Sequence, residues 1–238
     1  MDVAEIRQLN GFKIAVVRGT PADHASWFSF EDEQVVRDRH WHPGPGAVVF
    51  DVGAAFGSYA LPALANGARV VAFSPADFDT ELLELNLDLN PELEPRCLVA
   101  HVGLFSRDGW FNPDKCEFSE TRGGAGEHAY DLRGTIGNGP LKEQWIPVRA
   151  LDSWMAEHPG VDRVDLVKLD VEGAEVDVLR GGATTLKKHR PDVLIECHNF
   201  IRPQLEAEVE AFMRSIGYPP GEVHPHHAVS HAFYRGRA

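Results

Sequence analysis

Basic residues are in short supply in this chain: 23 Lys and Arg stand against 36 Asp and Glu over 238 residues, a formal charge of −13. The few cations are scattered, which argues against a nucleic-acid partner, because phosphate neutralisation needs a concentrated basic face. Cysteine is scarcer still. Cys97, Cys116 and Cys197 show no metal-ligand spacing and leave an odd thiol if one pair forms, so a disulfide framework is excluded and a reducing, cytoplasmic setting is expected. Long apolar runs are also missing, and the start Met1-Asp2-Val3-Ala4-Glu5 is acidic; neither a membrane span nor a signal peptide is expected. What is present is 43% hydrophobic content, enough for one α/β core with decorations.

The most informative stretch runs from Val164 to Glu175. An apolar strand ends in Asp170, and Glu172, Gly173 and a helical pattern follow at once, which delivers carboxylates to the carboxyl edge of a parallel sheet, where open α/β folds bind ligands. A second element of the same form lies upstream. Ala47 to Phe50 reads as a strand, and Asp51-Val52-Gly53-Ala54-Ala55-Phe56-Gly57-Ser58-Tyr59 as a glycine turn entering a helix. Gly53 can take positive φ and let a ligand approach the backbone, Gly57 lets the helix pack close, and the helix start offers unpaired N–H groups. Alone, such a turn serves packing as readily as a ligand. Arg69 to Ser74 forms the next strand, its end roughly 20 residues past Gly53, the spacing at which a nucleotide-binding unit places its ribose contact. Asn86 and Asn90 close the helix after it.

From about Pro45 to His198 the ordered pieces resemble the FkbM-type family of S-adenosylmethionine-dependent methyltransferases: Phe50 to Ala54, the Phe73-x-Pro75 strand end with Asn86 and Asn90, Val164 to Glu175 running into Leu179-Arg180-Gly181-Gly182-Ala183, and Pro191 to His198. The resemblance implies a class I methyltransferase (Rossmann-like) fold: a mostly parallel seven-stranded sheet with helices on both faces and an antiparallel last strand. It further implies methylation of a hydroxyl on a saccharide or secondary metabolite. The cofactor, S-adenosylmethionine, would lie along Asp51, Gly53, Ala54, Phe56, Gly57, Ser58 and Tyr59, reaching Ser74, Asp77, Gly103 and Asp170. One departure stands out. The family carries an acid at the end of the second strand, where this chain has Ser74; Asp77 or Asp79 either reaches in from the following helix or only favours that helix's start electrostatically.

The chain divides into a lead-in (1–45) and a methyltransferase domain (46–238) that carries an insertion (106–144). In the lead-in, Phe12 to Val17 alternates like a strand and Asp32 to Trp41 reads as a short helix. His24, Trp27, Phe28 and Phe30 form either a hydrophobic flap or an acceptor-binding surface. Arg96 to Leu104 supplies a third strand, after which regularity fails until Trp145. The insertion, rich in glycine and holding Trp110, Phe111, His128 and Tyr130, is expected to be an acceptor lid. Arg202 to Ile216 is helical and amphipathic, and Ala228 to Arg235 is the expected last strand. A homodimer is left open.

Methyl transfer to an alcohol needs alignment and removal of a proton. Asp170 ends one strand, while Glu196 and His198 end the next with an i, i+2 spacing that points both to one face. Two readings follow. Asp170, Glu196 and His198 could hold magnesium or manganese, which would lower the acceptor's pKa. Without a metal, His198 is the general base and Asp170 or Glu172 its orienting acid, ionising near an ordinary imidazole. Glu172 and Glu175 could equally cap the next helix. His224, His226, His227 and His231 look like an exposed tail loop rather than a metal site. An N-methyltransferase and a degenerate binding module are the alternative functions.

Overall fold

The computed structural model describes residues 1, 3–9, 11–17, 31–112, 117–122, 127–128, 145–226 and 229–237. Along the chain these form β1 (Val3–Leu9), β2 (Phe12–Val17), α1 (Glu31–His40), β3 (Val48–Val52), α2 (Ala60–Ala65), β4 (Arg69–Phe73), α3 (Asp77–Asp88), β5 (Cys97–Ala100) and β6 (Gly103–Leu104). Next come β7 (Gly109–Asn112), β8 (Glu117–Ser119), β9 (Glu127–His128), β10 (Ile146–Arg149), α4 (Leu151–Glu157), β11 (Leu166–Leu169), α5 (Glu175–Gly181) and α6 (Ala183–His189). The chain closes with β12 (Asp192–Cys197), α7 (Leu205–Ser215), β13 (Glu222–His226) and β14 (Val229–Tyr234).

A seven-stranded sheet in the order β13-β14-β12-β11-β3-β4-β5 forms the centre. Every pairing from β12 through β5 is parallel, and β14 runs antiparallel to both of its neighbours, which is the class I methyltransferase pattern expected. The period-2 alternation of strands assigns the two faces. Val48, Phe50 and Val52 pack with Val167, Leu169, Val193 and Ile195 against Trp154, Leu179, Leu186 and Val209 of α4 to α7. Val49, Leu166, Leu194 and Phe233 face the other way, onto Leu61 and Leu64 of α2, Leu83 of α3 and Val36 of α1. Among the described residues, no helix is long and apolar enough to cross a membrane.

Asn86 and Asn90 prove to be clamps. Both are buried. Asn86 Oδ1 accepts from the Ala15 amide at 2.8 Å while its Nδ2 donates to the Phe56 carbonyl at 3.1 Å. Asn90 does the same for Lys13, taking its N–H at 2.7 Å and giving to its carbonyl at 2.8 Å. Two side-chain amides thus stand in for the strand that β2 lacks on that edge, and Phe12 and Ile14 join the core under α2.

Three readings of the sequence need correction. The single strand expected over Arg96 to Leu104 is two. The chain turns at 101–102, where the Val102 amide donates to the Ala100 carbonyl at 2.8 Å, and β6 leaves the main sheet to pair with β10. The insertion is also more regular than its composition indicated: β7, β8 and β9 join β6 and β10 in a second sheet of order β6-β10-β7-β8-β9. These strands have two to four residues, too short for alternation to register. Finally, His224, His226 and His231 lie in the β13–β14 hairpin, not a tail loop; Pro225 sits on the edge strand, where a missing N–H costs nothing. His24, Trp27, Phe28, Phe30, Cys116, Tyr130 and His227 lie outside the described residues.

Candidate active site

β11 hands the chain to Asp170, and the loop to α5 is bent by two consecutive left-handed residues, Glu172 at φ 56° and Gly173 at φ 98°. A glutamate in that region carries local strain of about 1–3 kcal/mol. The turn brings the Glu172 carboxylate to His198, one residue past the end of β12, with Oε2 3.1 Å from Nε2. Asp170 Oδ1 stands 3.7 Å and Glu196 Oε1 3.8 Å from the same nitrogen. The opposite ring nitrogen, Nδ1, is paired with Glu175 Oε1 at 2.7 Å. Glu175 is fully buried at the start of α5, and Oε1 also accepts the Gly173 amide at 3.1 Å.

This environment decides the protonation states. Burial alone would lower His198, but the Glu175 hydrogen bond and the Asp170 and Glu172 charges raise it to about 9, so the free protein carries an imidazolium there at neutral pH. An ionisation near the ordinary imidazole value is therefore replaced by one well above it. Burial lifts Glu172 to about 7 against the pull of His198. Asp170 behaves oppositely: desolvation works against its charge, yet Lys168 and His198 hold it below the usual carboxylate range.

Lys168 links this cluster to the glycine turn. It is buried within β11; its Nζ donates to Asp170 Oδ2 at 2.9 Å and to the Gly53 carbonyl at 3.3 Å, and lies 4.0 Å from Asp51 Oδ1. Burial opposes its charge, but Asp170 and Asp51 more than offset that and raise its pKa. Asp51 is wholly buried at the end of β3 and is pushed up to about 6 by desolvation. Gly53, at φ 79°, donates its N–H to the Phe73 carbonyl at 3.0 Å. A Cβ there would lie 1.7 Å from the Asp170 carbonyl oxygen. The protein's own backbone fills that space, so a side chain at this position is excluded by the close approach of the two loops.

The remaining cofactor candidates cluster at the same edge. Ala54, Phe56, Ser58 and Tyr59 are buried in the turn, and a Cβ on Gly57 would collide with Leu83 of α3 and crowd Leu61 of α2. Ser74 is 2% exposed. Asp77 points outward and pairs with His101 at 3.1 Å, whereas burial raises Asp79 to about 6. Gly103 lies beside Val148 and Pro75. The second sheet covers the loop between β11 and α5: Phe105, Phe111, Phe118, Ile146 and Val148 pack on Ala174, with Val171 and Ile201 at the rim. A surface cavity lined by Arg69, Arg96 and Arg163 opens at the amino-terminal ends of β3 and β4, the opposite edge from these groups.

Sequence reasoning did not reach Lys168, it set His231 aside with the other tail histidines, and it assigned the orienting acid to Asp170 or Glu172, whereas Glu175 holds Nδ1. The signal for Lys168 was available as a lone cation inside an otherwise apolar strand; that for Glu175 was a charge between Ala174 and Val176 on a buried helix face. His231 is 2% exposed and lies 3.6 Å from Glu196 Oε2.

Comparison with known proteins follows the same lines. The profile of the methyltransferase FkbM domain matches residues 51–220. The 2-O-methyltransferase NoeI of Sinorhizobium fredii is 33% identical over 106 residues, which are 40% of this chain and 41% of that protein. The chain therefore spans about two fifths of the length of that curated relative. Among solved structures, methyltransferase FkbM from Methylobacillus flagellatus KT superposes with a TM-score of 0.58 at 17% identity, over 79% of this chain and 43% of that one. M. jannaschii TYW2 in complex with AdoMet gives 0.53 at 13% identity, over 100% and 88%. At these identities the two structures share the fold.

Proposed function

The chain belongs to the methyltransferase FkbM domain family, and from that premise we propose that it is an S-adenosylmethionine-dependent O-methyltransferase acting on a hydroxyl of a small molecule, a saccharide or polyketide-like metabolite. The observation that carries this reading is the pair Glu172 and His198, 3.1 Å apart, at the carboxyl edge of the sheet beside the glycine turn. NoeI, a 2-O-methyltransferase by name, supports oxygen as the atom methylated.

When bound, S-adenosylmethionine supplies a methyl group on a sulfonium. The donor set fits such a group: Asp51, raised to about 6, is a buried acid whose charged form a neighbouring ammonium or sulfonium favours. Gly53 to Tyr59 would hold its amino-acid end and the Ser74 edge its ribose. Glu172, raised to about 7, has the ionisation a general base needs near neutrality. It takes the hydroxyl proton as the oxygen becomes nucleophilic, while the His198 imidazolium, fixed by Glu175, holds the acceptor oxygen in line and favours the negative charge that develops on it. The second sheet excludes water from the loop beneath it.

The same residues fit a divalent cation. Asp170, Glu172 and His198 place one ligand atom each within 4.8 Å of the others, and Glu196 faces the same imidazole nitrogen. Magnesium or manganese held there would lower the hydroxyl's pKa in place of the His198 proton.

The test is calorimetric titration with S-adenosylmethionine, followed by turnover over a panel of saccharides, polyketide alcohols and amines, with and without chelator, read as gain of one methyl by mass spectrometry. Methylation of amines alone would replace the O-methyl reading with an N-methyl one. Cofactor binding without turnover on any acceptor would leave a binding module.

A further inference from the structure

A second cluster lies at the β13 edge of the sheet, two strands over from Glu196, and the proposed methyl transfer makes no use of it. Helix α1 ends on His40, and β13 carries Glu222 and His224 two residues apart, hence on one face. The His40 side chain is fully buried and is held by stacking on Phe233, with ring centroids 4.1 Å apart and planes 17° from parallel. Its Nε2 lies 2.9 Å from His224 Nε2. Glu222 Oε1 is 3.4 Å from His224 Nε2, and Oε2 is 4.0 Å from His40 Nε2. Arg39 also pairs with Oε1, at 2.6 Å, which fixes the carboxylate with Oε1 toward His224 and Oε2 toward His40.

We propose that His40, Glu222 and His224 form a binding site for a borderline divalent cation of the zinc type. Four tetrahedral ligands at about 2.0–2.1 Å from zinc are separated from one another by roughly 3.3 Å. The two Nε2 atoms are 2.9 Å apart, and the carboxylate approaches them at 3.4 Å through Oε1 and 4.0 Å through Oε2, so one ligand atom from each residue lies within 4.8 Å of the other two. Two imidazole nitrogens with their Nε2 atoms face to face form at best one hydrogen bond, and only if a single ring carries the proton; a cation engages both lone pairs and the carboxylate together. Two imidazoles and one carboxylate select zinc or a neighbouring transition metal over magnesium or calcium, which prefer oxygen. The C-terminal end of α1, with its exposed carbonyl dipoles, adds a negative potential on the same side. The bound ion would strap the lead-in helix to the edge strand of the sheet, 184 residues away in sequence.

The experiment measures zinc binding alone, by equilibrium dialysis and by thermal shift, on the full chain and on His224→Gln, Glu222→Gln and Glu172→Gln, with folding of each variant checked by circular dichroism. His224 and Glu222 are part-exposed, so two independent variants report on the site should one fail to fold. The expected result is one tight zinc per chain in the wild type, affinity at least tenfold weaker in His224→Gln and in Glu222→Gln, and wild-type affinity in Glu172→Gln. Equal affinity in the wild type and His224→Gln would overturn the assignment. Loss confined to Glu172→Gln would move the ion to the catalytic carboxylates and overturn it equally. Neither readout needs turnover, so the outcome is independent of the methyl-transfer proposal.

Discussion

Glu175 and His198 are joined at 2.7 Å inside the protein, carboxylate oxygen to Nδ1, and the pair fixes which nitrogen of the ring faces the other three acids. Replacing the glutamate by glutamine keeps the shape and removes the charge. Glu175→Gln is expected to lower turnover on the order of ten- to a hundredfold with cofactor affinity unchanged. The ionisation of His198 should move down from about 9, visible in the imidazole NMR titration; an unmoved titration would reduce Glu175 to a packing residue.

The raised histidine also makes stability depend on pH. The ordinary value of 6.5 becomes about 9 in the folded protein, so the native state binds the extra proton between those limits. The stabilisation is complete below 6.5 and is lost as pH rises through about 9. Glu172, raised to about 7, adds the same sign at lower pH. In excess chelator, urea unfolding of the wild type should lose about 3 kcal/mol across the histidine window, and His198→Gln should lack that slope.

Glu172→Gln tests the proton acceptor. Turnover should fall about 10²- to 10⁴-fold while titration calorimetry still reports cofactor binding. A chelator separates the two chemical versions: activity that survives it belongs to the Glu172–His198 pair alone. Loss in chelator, restored by magnesium or manganese, assigns the step to a cation on Asp170, Glu172 and His198.

Gly53→Ala should behave as a folding mutant. The added Cβ meets the Asp170 carbonyl oxygen at 1.7 Å and the residue sits at φ 79°, so a loss of more than about 2 kcal/mol is expected from backbone strain and loop displacement. Thermal unfolding without cofactor is the measurement, and an unchanged midpoint would contradict the close approach of the two loops.

What the sequence made legible follows from contact range. Val48 to Val52 and Leu166 to Leu169 announced themselves because fully buried parallel strands are continuous apolar runs, and Asp170, Glu196 and His198 were readable as strand-end residues that the topology brings together. Glu175 escaped because its partner is 23 residues away and a glutamate at a helix start already has a sufficient local explanation. The second sheet escaped because strands as short as Gly103–Leu104 have no period of their own; their pairing with β10, across more than forty residues, is what makes them strands. His40 and His224 meet only because the last strands return beside α1.

The clamps at Asn86 and Asn90 bear on where this protein can be cut. The family match begins at residue 51, and an expression boundary drawn there would discard β2 while keeping its receptor. Two buried amides would lose the Ala15 and Lys13 backbone groups they now satisfy, and Leu61 and Leu64 would face water where Phe12 and Ile14 had covered them. The recognisable domain and the unit that folds are different objects here. A truncated protein starting at residue 46 should express poorly for reasons unrelated to catalysis, whereas supplying residues 1–45 as a separate peptide offers a route to reassembly by complementation.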